Sequence, residues 1–164
     1  MSEEVIETSA VLAAREAGVA FTVSKHGPVN SVAEAAVARG VEVADVIKTI
    51  VVRRGDNDFV FILVPGDRVI SWPKLRALLG VNRMSLPDAA EAKNVTGYER
   101  GTITPFGSTN AWPVVADERI VGRTVALGGG AHGVSLRIVA DDVIATFAAQ
   151  VADVTDPEPV REAK

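Results

Sequence analysis

With 164 residues, 48% of them hydrophobic and 23% charged, the chain has the size and composition of one globular domain with a substantial core. A net charge of −4 argues against a broad nucleic-acid binder, whose affinity comes from neutralising many phosphates, but not against a protein that grips only the end of an RNA. The absence of cysteine excludes disulfides, thiolate metal sites and a Cys nucleophile. The acidic N-terminus has no secretory pattern and no apolar run reaches the ~18–20 residues of a membrane span, so a soluble cytoplasmic protein is expected.

In chain order, Val11, Leu12 and Arg15 lie at helical spacing and predict an amphipathic helix over residues 8–17, with Gly18 at its end. Residues 21–23 read as a short strand running into the Gly27-Pro28 turn. Ser31 and Glu34 form a capping-box pattern for a helix over 32–39, closed by Gly40. One more helical turn over 43–46 precedes a β-branched run at 47–52. The turn residues 55–58 then join it to residues 59–64 as an antiparallel hairpin. Ser71 is positioned to cap a helix over 73–79 that Gly80 ends, and Ser85 to cap another reaching about residue 93. Residues 112–116, 124–127 and 134–139 read as strands. A terminal helix is expected to start at Asp141 and run to about residue 151. The single domain is therefore placed at 1–151, with 152–164 as a polar, flexible tail. Strands and helices in irregular order favour an α+β domain with a mixed, largely antiparallel sheet flanked by helices.

The stretch with most chemical content is 97–107, which holds three glycines, one proline and the aromatics Tyr98 and Phe106. Glycine supplies positive φ and close approach, and proline removes a donor, so the N–H groups of Gly101, Thr102, Ile103 and Thr104 could form a fixed array for a carbonyl or an oxyanion. A plain connection between strands is the competing reading. Lys48 sits inside an apolar strand, where it either snorkels to the surface or presents an ammonium to a phosphate or hydroxyl. His132 lies among glycines 128–130 and Gly133. These glycines formally match a dinucleotide fingerprint, but a strand rather than a helix follows them, which removes that reading. His132 is left as either an exposed loop histidine or a hydrogen-bonding group in a cleft. With only two histidines and no cysteine, no metal and no cofactor are expected. The Ser71–Lys74 Ser-x-x-Lys match lacks its companion motifs, and the Asn94–Thr96 sequon lacks a secretory context.

Taken together, Gly97-Tyr98-x-x-Gly101-x-x-x-Pro105-x-Gly107, Lys48 after an apolar run and the late Gly129-Gly130-Ala131-His132-Gly133 resemble the YbaK/prolyl-tRNA-synthetase-associated editing domains. The match is collinear over roughly residues 8–150. The resemblance implies the same α+β fold and a free-standing trans-editing deacylase. Such an enzyme hydrolyses the ester of a tRNA, foremost tRNA-Pro, mischarged with alanine, cysteine, serine or a similar small residue. It assigns catalytic positions to Lys48, Gly101, Thr102 and His132. Substrate contacts fall to His26, Asn30, Gly97, Tyr98, Ile103, Thr104, Pro105, Phe106, Gly129 and Gly130. The implied partners are the tRNA acceptor 3′ end and prolyl-tRNA synthetase, with no DNA and no membrane. The cysteine-specific branch carries basic residues where this chain has Ala131-His132, which leans the substrate toward alanine or another small residue. Two other classes stay open: a non-catalytic tRNA-end or synthetase-binding module of the same fold, and a small-molecule esterase unrelated to RNA.

Overall fold

The computed structural model describes residues 7–27, 29 and 31–159. Its elements are α1 (Ser9–Glu16), β1 (Phe21–Lys25), α2 (Val32–Arg39), β2 (Ile47–Gly55), β3 (Asp58–Pro65), β4 (Arg68–Ile70), α3 (Trp72–Leu79), α4 (Ala89–Thr96), β5 (Val114–Asp117), β6 (Thr124–Gly128), β7 (Val134–Val139), α5 (Ala140–Phe147), β8 (Gln150–Ala152) and β9 (Thr155–Pro157). Short 3-10 turns at Val43–Asp45 and Glu118–Ile120 precede β2 and β6. The α+β class holds. The strands form three sheets: an antiparallel β1-β7-β6, a mixed β2-β3-β5-β8 and a two-stranded β4-β9.

β3 is the spine of the molecule. Phe59, Phe61 and Leu63 face the main core with α1 and the β1-β7-β6 sheet, whereas Val60, Ile62 and Val64 face a second cluster around Leu75 of α3. A strand covered on both faces has no polar side to show, which is why its sequence is an unbroken apolar run. The predicted hairpin is present, with Lys48 opposite Val64 and Val52 opposite Val60. Asn57 turns it at φ 52°, a left-handed conformation that Asn tolerates.

β2 lies at the edge of the mixed sheet, and this positions the site. Beyond β3, the bridges at this edge among the described residues are Val46 to Ala126, just before the strand, and Arg53 to Ser85 near its far end. Among the described residues, no strand is paired to its outer edge between those bridges. α2 stands near that edge on a small cluster of Ala35, Ala36 and Val46. Ser31 caps α2 by accepting from the Glu34 N–H at 3.1 Å, and Gly40 ends it at φ 70°.

Three expectations change. Helix α4 is capped by Asp88, which accepts from the Glu91 N–H at 2.8 Å, while Ser85 is engaged in the bridge to Arg53. α5 begins after Val139 and stops at Ala148, which turns at φ 48°; Asp141 instead accepts from the Gly122 N–H. The polar segment from 152 onward does not fray as far as 157. β9 pairs with β4, Val154 and Thr155 are fully buried, and the buried Asp117 carboxylate accepts from the Val154 N–H and the Thr155 hydroxyl.

Candidate functional site

Gly101 is the common wall of three adjoining cavities. The first, about 460 Å³, lies between α2 and the free edge of β2 and is lined among others by Val32, Arg39, Lys48, Thr49, Gly101 and Ile103. A second, about 490 Å³, shares Val29, Arg39 and Gly101 with it and reaches His26 and His132. A third, about 320 Å³ and mostly apolar, shares Thr49, Gly101 and Ile103 and extends to Leu86 and Pro87, with Arg100 on its wall. These are lobes of one cleft with a glycine at the crossing. Gly101 is exposed at φ 89°, so it both needs and supplies a backbone free of a side chain.

Among the described residues, neither the Gly101 nor the Ile103 N–H has an acceptor in the protein. The Thr102 N–H is already committed: it donates to the Glu99 carbonyl at 3.0 Å, and the Thr102 hydroxyl donates to the same oxygen at 2.7 Å. The four-donor array expected from the glycine-proline pattern is therefore not open at Thr102, whose side chain is buried. Its role is to close the turn that presents Gly101.

Lys48 lines the first cavity half-buried, and its ammonium donates to the Arg68 carbonyl at 2.5 Å. Burial pulls its pKa below the usual lysine range, with Glu158 and Asp67 acting in the opposite direction. His132 is largely exposed at the rim of the second cavity, its Nε2 lying 3.0 Å from a Glu99 carboxylate oxygen. Hydrogen bonding to His132 and then to Lys93 holds the Glu99 carboxyl below the ordinary range. His26 lines the same cavity. Its Nδ1 lies 2.8 Å from the Gly27 carbonyl, while its Nε2 is buried with no partner among the described residues. Asn30 lies outside the described residues.

The remaining expected contact residues line none of the three cavities. Tyr98 is buried, and its hydroxyl donates to the Phe106 carbonyl at 2.6 Å; burial raises its pKa to about 12. Phe106 packs edge-on against Phe147, the Thr104 hydroxyl accepts from the Phe106 N–H, and Pro105 is buried beside them. Gly97 ends α4 at φ 82°, with Thr109 so close that a methyl group would meet it at 2.7 Å. Gly129 donates to the Val134 carbonyl and Gly130 to the Thr102 carbonyl, which ties the histidine loop to the Gly101 loop. These residues hold the cleft in shape from behind. Gly128 is the glycine of that run that lines the first cavity.

Sequence reasoning missed Arg39 and Thr49. Arg39 reads as an ordinary cation in a last helical turn, and Thr49 as one of several β-branched strand residues. Both line the first cavity, and the Arg39 Nε and Thr49 Oγ1 atoms are buried without a partner. Among the described residues no three His, Asp or Glu side chains gather as a metal site, and no helix is long and apolar enough to cross a membrane.

Residues 26–146 match the aminoacyl-tRNA editing domain, and the chain belongs to that family. It is 34% identical over 121 residues to a proline–tRNA ligase of Heliobacterium modesticaldum, a match that covers 71% of this chain and 21% of the ligase. The chain thus corresponds to about a fifth of that synthetase's length. Among solved structures, it is similar to a candidate trans-editing enzyme for prolyl-tRNA synthetase, with TM-score 0.82, 25% identity, and coverage of 93% of this chain and 99% of the other. A hypothetical protein of known crystal structure matches with TM-score 0.83 and 25% identity over 91% of this chain and all of its own.

Proposed function

We propose that this chain is an aminoacyl-tRNA deacylase that acts in trans on tRNA-Pro carrying a small wrong amino acid, alanine foremost. The observation that carries the reading is the open N–H of Gly101 at the junction of a cleft walled by Lys48 on one side and His132 on the other.

An aminoacyl ester is already activated, so positioning and oxyanion stabilisation supply much of the acceleration, and one such donor typically contributes ~2.7–4 kcal/mol. Water attacks the ester carbonyl carbon, and the oxyanion that forms is received by the N–H groups of Gly101 and Ile103. The tetrahedral intermediate collapses by breaking the bond to the ribose oxygen. That oxygen leaves with a proton as the tRNA hydroxyl, and the amino acid departs as its acid. Lys48 anchors the terminal adenosine, through its hydroxyl or its phosphate, by moving its ammonium from the Arg68 carbonyl to the substrate. His132 and the loop wall limit the side chain that fits. Because size alone discriminates by only ~1–3 kcal/mol per methylene, the natural substrate is small and proline is spared by its ring.

The test is deacylation of Ala-, Cys-, Ser- and Pro-tRNA-Pro by the wild-type protein. Rapid loss of one small residue with Pro-tRNA-Pro left intact supports the proposal. Binding of tRNA with no turnover of any of the four would make the chain a non-catalytic module, and turnover of simple esters without dependence on tRNA would make it an unrelated esterase.

A further inference from the structure

Of the four buried polar side-chain atoms without a partner among the described residues, three, His26 Nε2, Arg39 Nε and Thr49 Oγ1, belong to walls of the same cleft, and the fourth, Ser108 Oγ, lies outside it. Buried polar groups in folded proteins are almost always hydrogen-bonded, so three such atoms around one cleft point to a ligand that completes them. The charge of the cleft indicates which kind. The linings of the first two cavities contain Arg39, Lys48, His26 and His132 and no aspartate or glutamate, in a chain whose net charge is −4. Glu99 stands at the rim, engaged with His132 and Lys93. Arg39 is the one cation that lines both cavities, and among the described residues its side chain has no ion-pair or hydrogen-bond partner.

We infer that Arg39 is the phosphate-reading residue of this cleft, binding the 5′-phosphate of the terminal nucleotide whose ester lies at Gly101. This assignment rests on the deacylase reading of the same site. A guanidinium suits the task because its planar donors match two phosphate oxygens at once, and because it stays charged although burial lowers its pKa. A phosphate there supplies the missing acceptor to Nε. It also leaves Lys48, on the opposite wall of the first cavity, for the ribose hydroxyls. The aminoacyl ester itself carries no anion, so a half-buried arginine between two lobes has no other obvious partner on this substrate.

The experiment titrates the protein with adenosine 5′-monophosphate, adenosine and inorganic phosphate, reading affinity together with the Arg39 Nε–H resonance. The monophosphate should bind roughly tenfold more tightly than adenosine, the span expected of one charge-assisted bond, and should shift that resonance. Arg39→Gln should erase the margin and Arg39→Lys should keep part of it. The wild-type resonance provides a reading that does not depend on either variant folding. An equal affinity for adenosine, an unmoved Nε–H signal, or inorganic phosphate binding as well as the nucleotide would each overturn the assignment. Deacylation of Ala-tRNA-Pro by the same preparations separates the two readings. A phosphate margin without turnover keeps the subsite and removes the deacylase, and turnover without a margin does the reverse.

Discussion

At the scale of single residues, the cleft depends on glycines that no other residue can replace. Gly133 is the clearest case. It sits at φ 77°, and a methyl group there would lie 2.4 Å from the His26 carbonyl oxygen, which the neighbouring backbone cannot yield without breaking the His26 N–H to Gly133 carbonyl bond of 2.8 Å. Gly133→Ala should therefore cost more than the ~1–2 kcal/mol of left-handed strain alone, measured as a shift in the urea unfolding midpoint. An unchanged midpoint would mean that the turn relaxes freely. Gly101 differs in having space: a methyl there would come no nearer than 4.0 Å to the His132 ring. If the cleft takes an aminoacyl ester as proposed, Gly101→Ala should still lose deacylation, because the methyl would stand where the ester approaches and φ 89° disfavours it. These roles were only partly legible in the sequence. Lys48, Gly101 and His132 stood out because each is chemically out of place in its local run. Tyr98 and Phe106 stood out equally, yet they are bonded to each other inside the loop, and nothing in the spacing distinguishes an aromatic that lines a pocket from one that props up a turn.

At the scale of elements, helices with explicit punctuation were readable: Ser31 with Gly40, and Ser71 with Gly80, mark α2 and α3 at both ends. α5 was not, since it ends at Ala148 in a left-handed conformation with no glycine to announce it. The β4-β9 ladder was illegible for another reason. Thr155-Asp156-Pro157 is polar and short, and its partner strand lies some 87 residues earlier, so only tertiary pairing makes it a strand. An ionic cluster pins this segment: Asp153 accepts from Arg119 at 2.8 Å and from Lys74 at 3.0 Å. Bonding to Arg119 and then Lys74 depresses the Asp153 pKa to about 2. A lowered native pKa means stability that is fully present above the unfolded aspartate pKa of ~3.9 and is lost as pH falls through about 2. Thermal melts should show wild type above Asp153→Asn at pH 6, with the gap closing between about pH 4 and pH 2. A constant gap across that range would show that the cluster contributes nothing through charge.

At the scale of the whole molecule, the segment around residues 153–157 is part of the fold, and the cleft proposed to take the substrate is a small cationic one on an acidic body. Deleting residues 153–164 would strip the Val154 N–H and the Thr155 hydroxyl from the fully buried Asp117 carboxylate. Arg119 still pairs with that carboxylate at 3.2 Å, so the loss is that of two hydrogen bonds to a charged group, about 1.5–3 kcal/mol each, and the truncated chain should unfold more easily than wild type in urea. The charge distribution predicts shallow salt dependence. If only the terminal one or two phosphates are gripped, log K should fall against log salt with a slope of about −0.7 per phosphate, and a slope of −4 or steeper would require a broad contact with the tRNA body. If this cleft hydrolyses an aminoacyl ester with Lys48 as its anchor, as proposed, single-turnover deacylation of Ala-tRNA-Pro should separate wild type from Lys48→Ala. A loss on the order of a hundredfold or more in the variant, with its unfolding midpoint unchanged, is the predicted result. Equal rates for the two proteins would remove Lys48 from the proposed mechanism.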